Sequence, residues 1–107
     1  MAEALKVLGQ IVGTAADALV YTVPASTQTT ISTITVCNRN TASGTFDIRV
    51  RKSGGTADNK EYIFFQQFLD QKSTYAATIG ITLAAGDTVY FNGPATMSIN
   101  IFGIEVS

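Results

Sequence analysis

Apolar residues fall on alternate positions through most of this chain, and the period of two is clearest between Tyr21 and Lys52. Ile34 and Val36 point to one side there, while Thr33, Thr35 and Cys37 point to the other. Beyond the turn-rich link Asn38–Gly44, Phe46, Ile48 and Val50 alternate with Thr45, Asp47, Arg49 and Arg51. That period marks strands with one buried and one solvated face. The phase slips between Ile31 and Ile34, which predicts a β-bulge or a strand bend near Ser32–Thr33.

The same reading extends along the chain. Residues 4–12 form a first strand or an N-terminal arm, since Gly9 disfavours a helix there. Thr14–Asp17 is a turn, and Ala18–Val23 a short strand ended by Pro24, which has no N–H for a ladder. Residues 53–60 are a loop carrying Gly54 and Gly55. Tyr62–Phe68 is an aromatic strand, with Tyr62, Phe64 and Gln66 assigned to one face and Ile63, Phe65 and Gln67 to the other. Both faces begin apolar, so one is expected to meet the core and the other a partner. Asp70–Ser73 is a turn, Thr74–Ile81 a strand, Ala84–Gly86 a tight turn and Thr88–Phe91 a strand broken at Asn92–Pro94. In the last strand, Met97–Val106, Met97, Ile99, Ile101 and Gly103 alternate with Ser98, Asn100, Phe102 and Ile104. These short strands predict an all-β chain. The expected architecture is one antiparallel β-sandwich over residues 1–107, of about seven to eight strands, immunoglobulin-like or jelly-roll-like.

Composition narrows the function. The 107 residues suffice for one core, and 46% apolar with 14% charged residues describes a globular chain. With few charges, the surface must be largely Thr, Ser, Gly, Asn and Gln, which are cheaper to desolvate than ions and suit contact with neighbours. A net charge of −1 gives no drive towards nucleic acid or an anionic membrane. Arg49, Arg51 and Lys52, with Arg39 placed near them across the hairpin, share their strand with Asp47 and read as a solvated, mixed-charge face. No apolar run approaches the ~20 residues that span a bilayer. Glu3, Gly9, Gln10 and Gly13 do not fit a signal peptide, so synthesis in the cytoplasm is expected.

The inventory of reactive groups is short. Without histidine, the Ser-His-Asp and Cys-His arrangements and the common zinc ligand sets cannot be built. Cys37 is the single cysteine, forms no intrachain disulfide and reads as a small residue packed near the core. The eight acids are scattered, and Asp70 and Asp87 look like turn formers. Gly54–Gly55 is followed by no phosphate-binding lysine, and Ala57-Asp58-Asn59 offers too few ligands for calcium. The expectation is no catalytic, cofactor-binding or metal-binding residue, no cofactor, and no enzymatic activity. Tyr62, Phe64, Phe65, Phe68, Tyr75 and Tyr90 could form a sugar-stacking platform, but in a chain without Trp they read first as core or interface.

Several runs carry a resemblance: "YTVPAS", "TISTITVCNR", "TFDIRV", "EYIFF", "TIGITLAAGDTV" and "SINIFGIE". Across nearly the whole chain, from Leu5 to Glu105, the sequence resembles small virion structural proteins of tailed bacteriophages, including phages of cyanobacteria and other marine bacteria. The resemblance implies a place in the virion. The first role it implies is capsid decoration (cement), in contact with the major capsid protein or other virion proteins. Tail, baseplate and fibre roles, and a carbohydrate-binding module, are the alternatives. A decoration protein binds many identical sites, so a homo-oligomer is expected, a trimer over a threefold axis being one form, with no nucleic acid and no membrane as partner. The expected subunit contacts are Leu5, Val7, Leu8 and Ile11 of the N-terminal segment, whose arm is taken to begin at Ala2, and Tyr62, Phe64, Phe65 and Phe68 of the aromatic strand.

Overall fold

A folded ribbon accounts for the topology. In the computed structural model, which describes residues 3–107, the strands are β1 (Glu3–Val12), β2 (Ala18–Thr22), β3 (Gln28–Asn38), β4 (Gly44–Arg51), β5 (Tyr62–Leu69), β6 (Thr74–Ala77), β7 (Ile81–Leu83), β8 (Thr88–Asn92) and β9 (Met97–Val106). One 3-10 turn, Asn59–Glu61, precedes β5. Antiparallel pairs join β1 to β9, β2 to β8, β3 to both β6 and β7, and β4 to β5, as in one long hairpin folded at β4–β5. Rolling that hairpin brings β9 against β3 and β8 against β4. The result is two sheets, β1-β9-β3-β6 with β7 also on β3, and β2-β8-β4-β5. The expected all-β sandwich is present, and its strand order is that of a jelly roll.

Nine strands replace the expected seven or eight because Thr74–Ile81 is not continuous. The β3 register shifts between Ile31 and Thr33, at the bulge that the pattern predicts. Opposite it, Ala77 pairs with Ile34 and Ile81 with Ile31, so three residues of the outer strand span two of β3. On this side the ladder breaks opposite the bulge, and the neighbour divides into β6 and β7.

The bulge also places Ile31 and Ile34, three apart in sequence, on the same inner face. With Val36, Ile99 and Ile101 they meet Phe46, Ile48, Val89 and Phe91 of the other sheet, all at most 1% exposed. Burying each such side chain stabilises the fold by about 1.5–3 kcal/mol. Phe46 lies at the centre of an aromatic group, with ring centroids 6.0 Å from Phe91, 5.8 Å from Tyr75 and 6.3 Å from Phe64. Leu8, bulged out of the β1–β9 register, turns inward over Gly103. A Cβ at Gly103 would run into the Thr30 carbonyl oxygen of the neighbouring strand, so only glycine fits there.

Polar groups tie the two sheets together at opposite ends of β3. Near its start, the Tyr21 hydroxyl of the second sheet meets Thr29 Oγ1 at 2.7 Å and donates to the Glu105 carboxylate. Burial, reinforced by that carboxylate, pushes the Tyr21 phenol up to about 12. Lys6 Nζ lies 2.7 Å from Glu105, and the lysine and Tyr21 together hold this carboxyl below its usual range. At the other end, Asn38 is 1% exposed. Its Nδ2 donates to the carbonyls of Ala42 and Asp70, both at 3.1 Å, and of Leu69 at 3.4 Å, while its Oδ1 accepts from Asn40 N at 3.0 Å. One side chain thereby closes the β3–β4 and β5–β6 connections.

Asn38→Ala is expected to cost about 2–3 kcal/mol in chemical denaturation, because buried carbonyls lose their donor. Asn38→Asp keeps the shape but has no N–H to offer, so it should be at least as destabilising at pH 7. An aspartate variant as stable as the native protein would show that the donor is dispensable.

Candidate interaction surfaces

Which face of each strand points outward follows from the core. In β9 the odd positions from Met97 to Gly103 are buried, so Ser98, Asn100, Phe102, Ile104 and Val106 lie on the outer face of the first sheet. The register sets Leu5 beside Ile104 and Val7 beside Phe102, with Thr30 and Thr33 on the other side of that pair. Cys37 sits on this outer face beside Ser98 and Thr74, half-buried, and not against the core as the sequence suggested. Gln10 donates to Asn100 Oδ1 at 2.6 Å. Along these rows the one charged side chain is Glu3, at the tip of β1. The face is otherwise apolar groups, hydroxyls and amides.

The segment expected as an arm or first strand is the first strand of its own domain. β1 pairs with β9 from Glu3 to Val12, while Met1 and Ala2 lie outside the described residues. Leu8 is core, and Ile11 packs against it. Leu5 is 84% exposed and Val7 49%.

The second sheet presents different chemistry. Its outer face was expected to be a solvated mix of charges, yet Arg49 is only 8% exposed. Residues 52–61 fold across it and bring Glu61 close, itself 7% exposed. Arg49 lies 2.8 Å from Asp17 and 3.1 Å from Glu61, and donates to the Asp58 carbonyl at 3.0 Å. Arg51 grips Glu61 with two nitrogens, at 2.8 and 3.1 Å. The guanidinium groups cover the rings of Tyr62 and Tyr90, at 4.6 and 4.5 Å from the centroids. One face of each of these two rings is therefore covered. Arg39 stands apart, donating to the Ala95 carbonyl at 2.9 Å. Arg51, first of all, holds the Glu61 carboxyl below its usual range, and Glu61 in turn raises Arg51. Beside the cluster, Val50, Lys52, Ser53, Gly54 and Lys60 line an open groove of about 610 Å³.

The aromatic strand departs from simple alternation. Two register shifts interrupt the β4–β5 pairing, and Gln66 adopts a φ of 48° with its N–H donating to Asp47 Oδ1 at 2.6 Å. Tyr62 and Phe64, expected on one face, therefore separate. Phe64 turns to the core and meets Tyr75 edge-on at 5.5 Å, while Tyr62 turns outward and meets Phe65 at 4.8 Å. Phe65 and Phe68 are 61% and 60% exposed, and Ile63 40%. Four of the eight expected contact residues thus lie free at the surface: Leu5, Val7, Phe65 and Phe68.

Asp17 and Glu61 were not singled out from the sequence. Each lies far along the chain from Arg49, and only the return of β5 and the β1–β2 turn brings them in. Among the described residues, no three His, Cys, Asp or Glu side chains gather to hold a metal ion, and no helix is long and apolar enough to cross a membrane. No protein-family model and no curated protein matches the chain.

The Glu61 pairing gives a pH test. A carboxyl held low in the fold contributes stability above its ordinary value of about 4.3, and that contribution disappears as pH falls through the depressed value. Glu61→Gln should lower the urea midpoint at pH 7, and the gap from the native protein should close as pH falls below about 4. A gap that stays constant down to pH 3 would separate Glu61 from the ionic link.

Proposed function

We propose that this protein is a non-enzymatic structural subunit of a tailed-bacteriophage virion, a decoration (cement) protein that binds the head shell through the major capsid protein and stabilises it. The observation that carries the reading is the division of charge between the two faces. The arginines of the second sheet are neutralised by acids of the same chain, while the outer face of the first sheet is almost free of charge. Hydroxyls cost less to desolvate than ions and apolar groups gain by leaving water, so such a face suits a permanent contact. Phe65 and Phe68 add a second apolar contact on the β5 edge. Repetition over a symmetric shell multiplies modest contacts into firm attachment. The likeness to phage structural proteins supplies the kind of particle.

A tail-associated subunit would use the same surfaces and differs in copy number. Quantitative mass spectrometry of purified particles should find on the order of hundreds of copies, as a shell symmetry requires. A few copies, in small multiples of three or six, would replace the decoration role with a tail or baseplate one. The double variant Phe65→Ser/Phe68→Ser should fold normally, because both rings are more than half exposed and outside the core, and should bind stripped shells at least tenfold more weakly. Unchanged binding would remove the β5 edge from the contact.

A further inference from the structure

The first half of β1 is uncovered in a way that no other strand is. Every residue from Glu3 to Val7 is exposed, on the inner side of the sheet as well as the outer. β9 holds one edge of this segment, and among the described residues no strand pairs with the other. The second half is different: β2 runs beside it, so close that a Cβ on Gly9 would strike the Val20 carbonyl. A row of backbone N–H and C=O groups on Glu3–Val7 is therefore open to a sixth strand, and Leu5 projects from it at 84% exposure.

We infer that this edge pairs antiparallel with the same edge of a second copy of the chain, across a twofold axis at Leu5. The edge is self-complementary in one register. In a continuous sheet, residues directly opposite must project to the same face, so β1 of one copy can meet β1 of the other only between positions of equal parity. An axis at Lys6 would set Lys6 against Lys6, two ammonium groups a few ångströms apart. An axis at Ala4 would draw the pairing past Glu3. An axis at Leu5 uses the whole open segment: Leu5 meets Leu5, Lys6 meets Ala4, and Val7 meets the aliphatic stem of Glu3. Lys6 keeps its ion pair with Glu105, 2.7 Å away on the inner side. On the outer side, Ile104 and Phe102 of each copy continue the Leu5–Leu5 contact into one apolar stripe. The pairing is isologous and closes as a dimer, whereas a trimer would need a different, heterologous contact.

This dimer is independent of the virion reading, and its test uses the purified chain with no particle present. Sedimentation equilibrium at tens of micromolar should give twice the chain mass for the native protein. Leu5→Arg, which places two guanidinium groups at the axis on a side chain 84% exposed in its own domain, should raise the dissociation constant at least 100-fold and leave the melting temperature of the dilute protein unchanged. Leu5→Cys in a Cys37→Ser background should form an intermolecular disulfide under mild oxidation, while Gln10→Cys in the same background should not. A native protein that sediments as a monomer would overturn the proposal. So would a Leu5→Arg variant that dimerises as the native protein does, or crosslinking at Gln10→Cys in place of Leu5→Cys.

Discussion

The fold depends on the inner row of β3 and on the bulge that keeps it in phase. Ile31, Ile34 and Val36 are all fully buried, and strict alternation would have turned either Ile31 or Ile34 into solvent. The extra residue at Ser32–Thr33 resets the phase, and the consequences spread outward. β6 and β7 separate opposite the bulge, β9 follows the same shift on the other side, and Phe46, Ile48 and Phe91 find a continuous apolar surface to meet. Asn38 and the Tyr21–Thr29–Glu105 group then fix the two ends of the strand across the gap between sheets. A sandwich held only by its apolar middle could slide; polar ties at both ends of β3 set its register.

Charge is handled by confinement. The core rows contain none, and Glu105, at their end, is met by Lys6 and Tyr21. Arg49, Arg51, Asp17 and Glu61 form a closed set on the outer face of the second sheet, with two tyrosine rings underneath. Exposed ion pairs contribute little to stability, but Arg49 and Glu61 are nearly buried, and removing either would strand its partner out of water. The set fastens residues 52–61 across the sheet and leaves the ions there little to offer another molecule. The outer face of the first sheet, by contrast, is neutral apart from Glu3.

The β-class, the bulge at Ser32–Thr33 and the turn role of Asp87 were legible because each leaves a local mark. Asp87 caps its turn by accepting from Ala84 N and from Ser53 N, both at 2.9 Å. The strand order was not legible, since period-two alternation is the same in an immunoglobulin-like sandwich and a jelly roll. Arg49 looked solvated because alternation reports which way a side chain points, not what later folds over it. The aromatic strand misled for the opposite reason. Neither the register shift at Ile63, which parts Tyr62 from Phe64, nor the left-handed backbone of Gln66 has a sign in the sequence, so the division between core and surface rings was invisible. Four of the eight residues expected as contacts are exposed: exposure at Leu5, Val7, Phe65 and Phe68 was set by register, which the apolar character of the residues did not reveal.

Sheet edges explain why the surfaces are distributed as they are. A sandwich has four, and three here are blunted in recognisable ways. β2 is five residues long with a register shift, β5 is bulged twice, and the β6/β7 edge is interrupted. Such devices prevent indiscriminate pairing. The Glu3–Val7 edge is neither short nor interrupted: its bulge comes after Val7, Lys6 turns inward to Glu105, and Leu5 and Val7 project outward beside Glu3. An edge left open while the other three are closed is selective. Joining it to a copy of itself would double the width of the neutral face, keep the ion set on the opposite side of each sandwich, and leave the Phe65–Phe68 rim of both copies free to reach a larger surface.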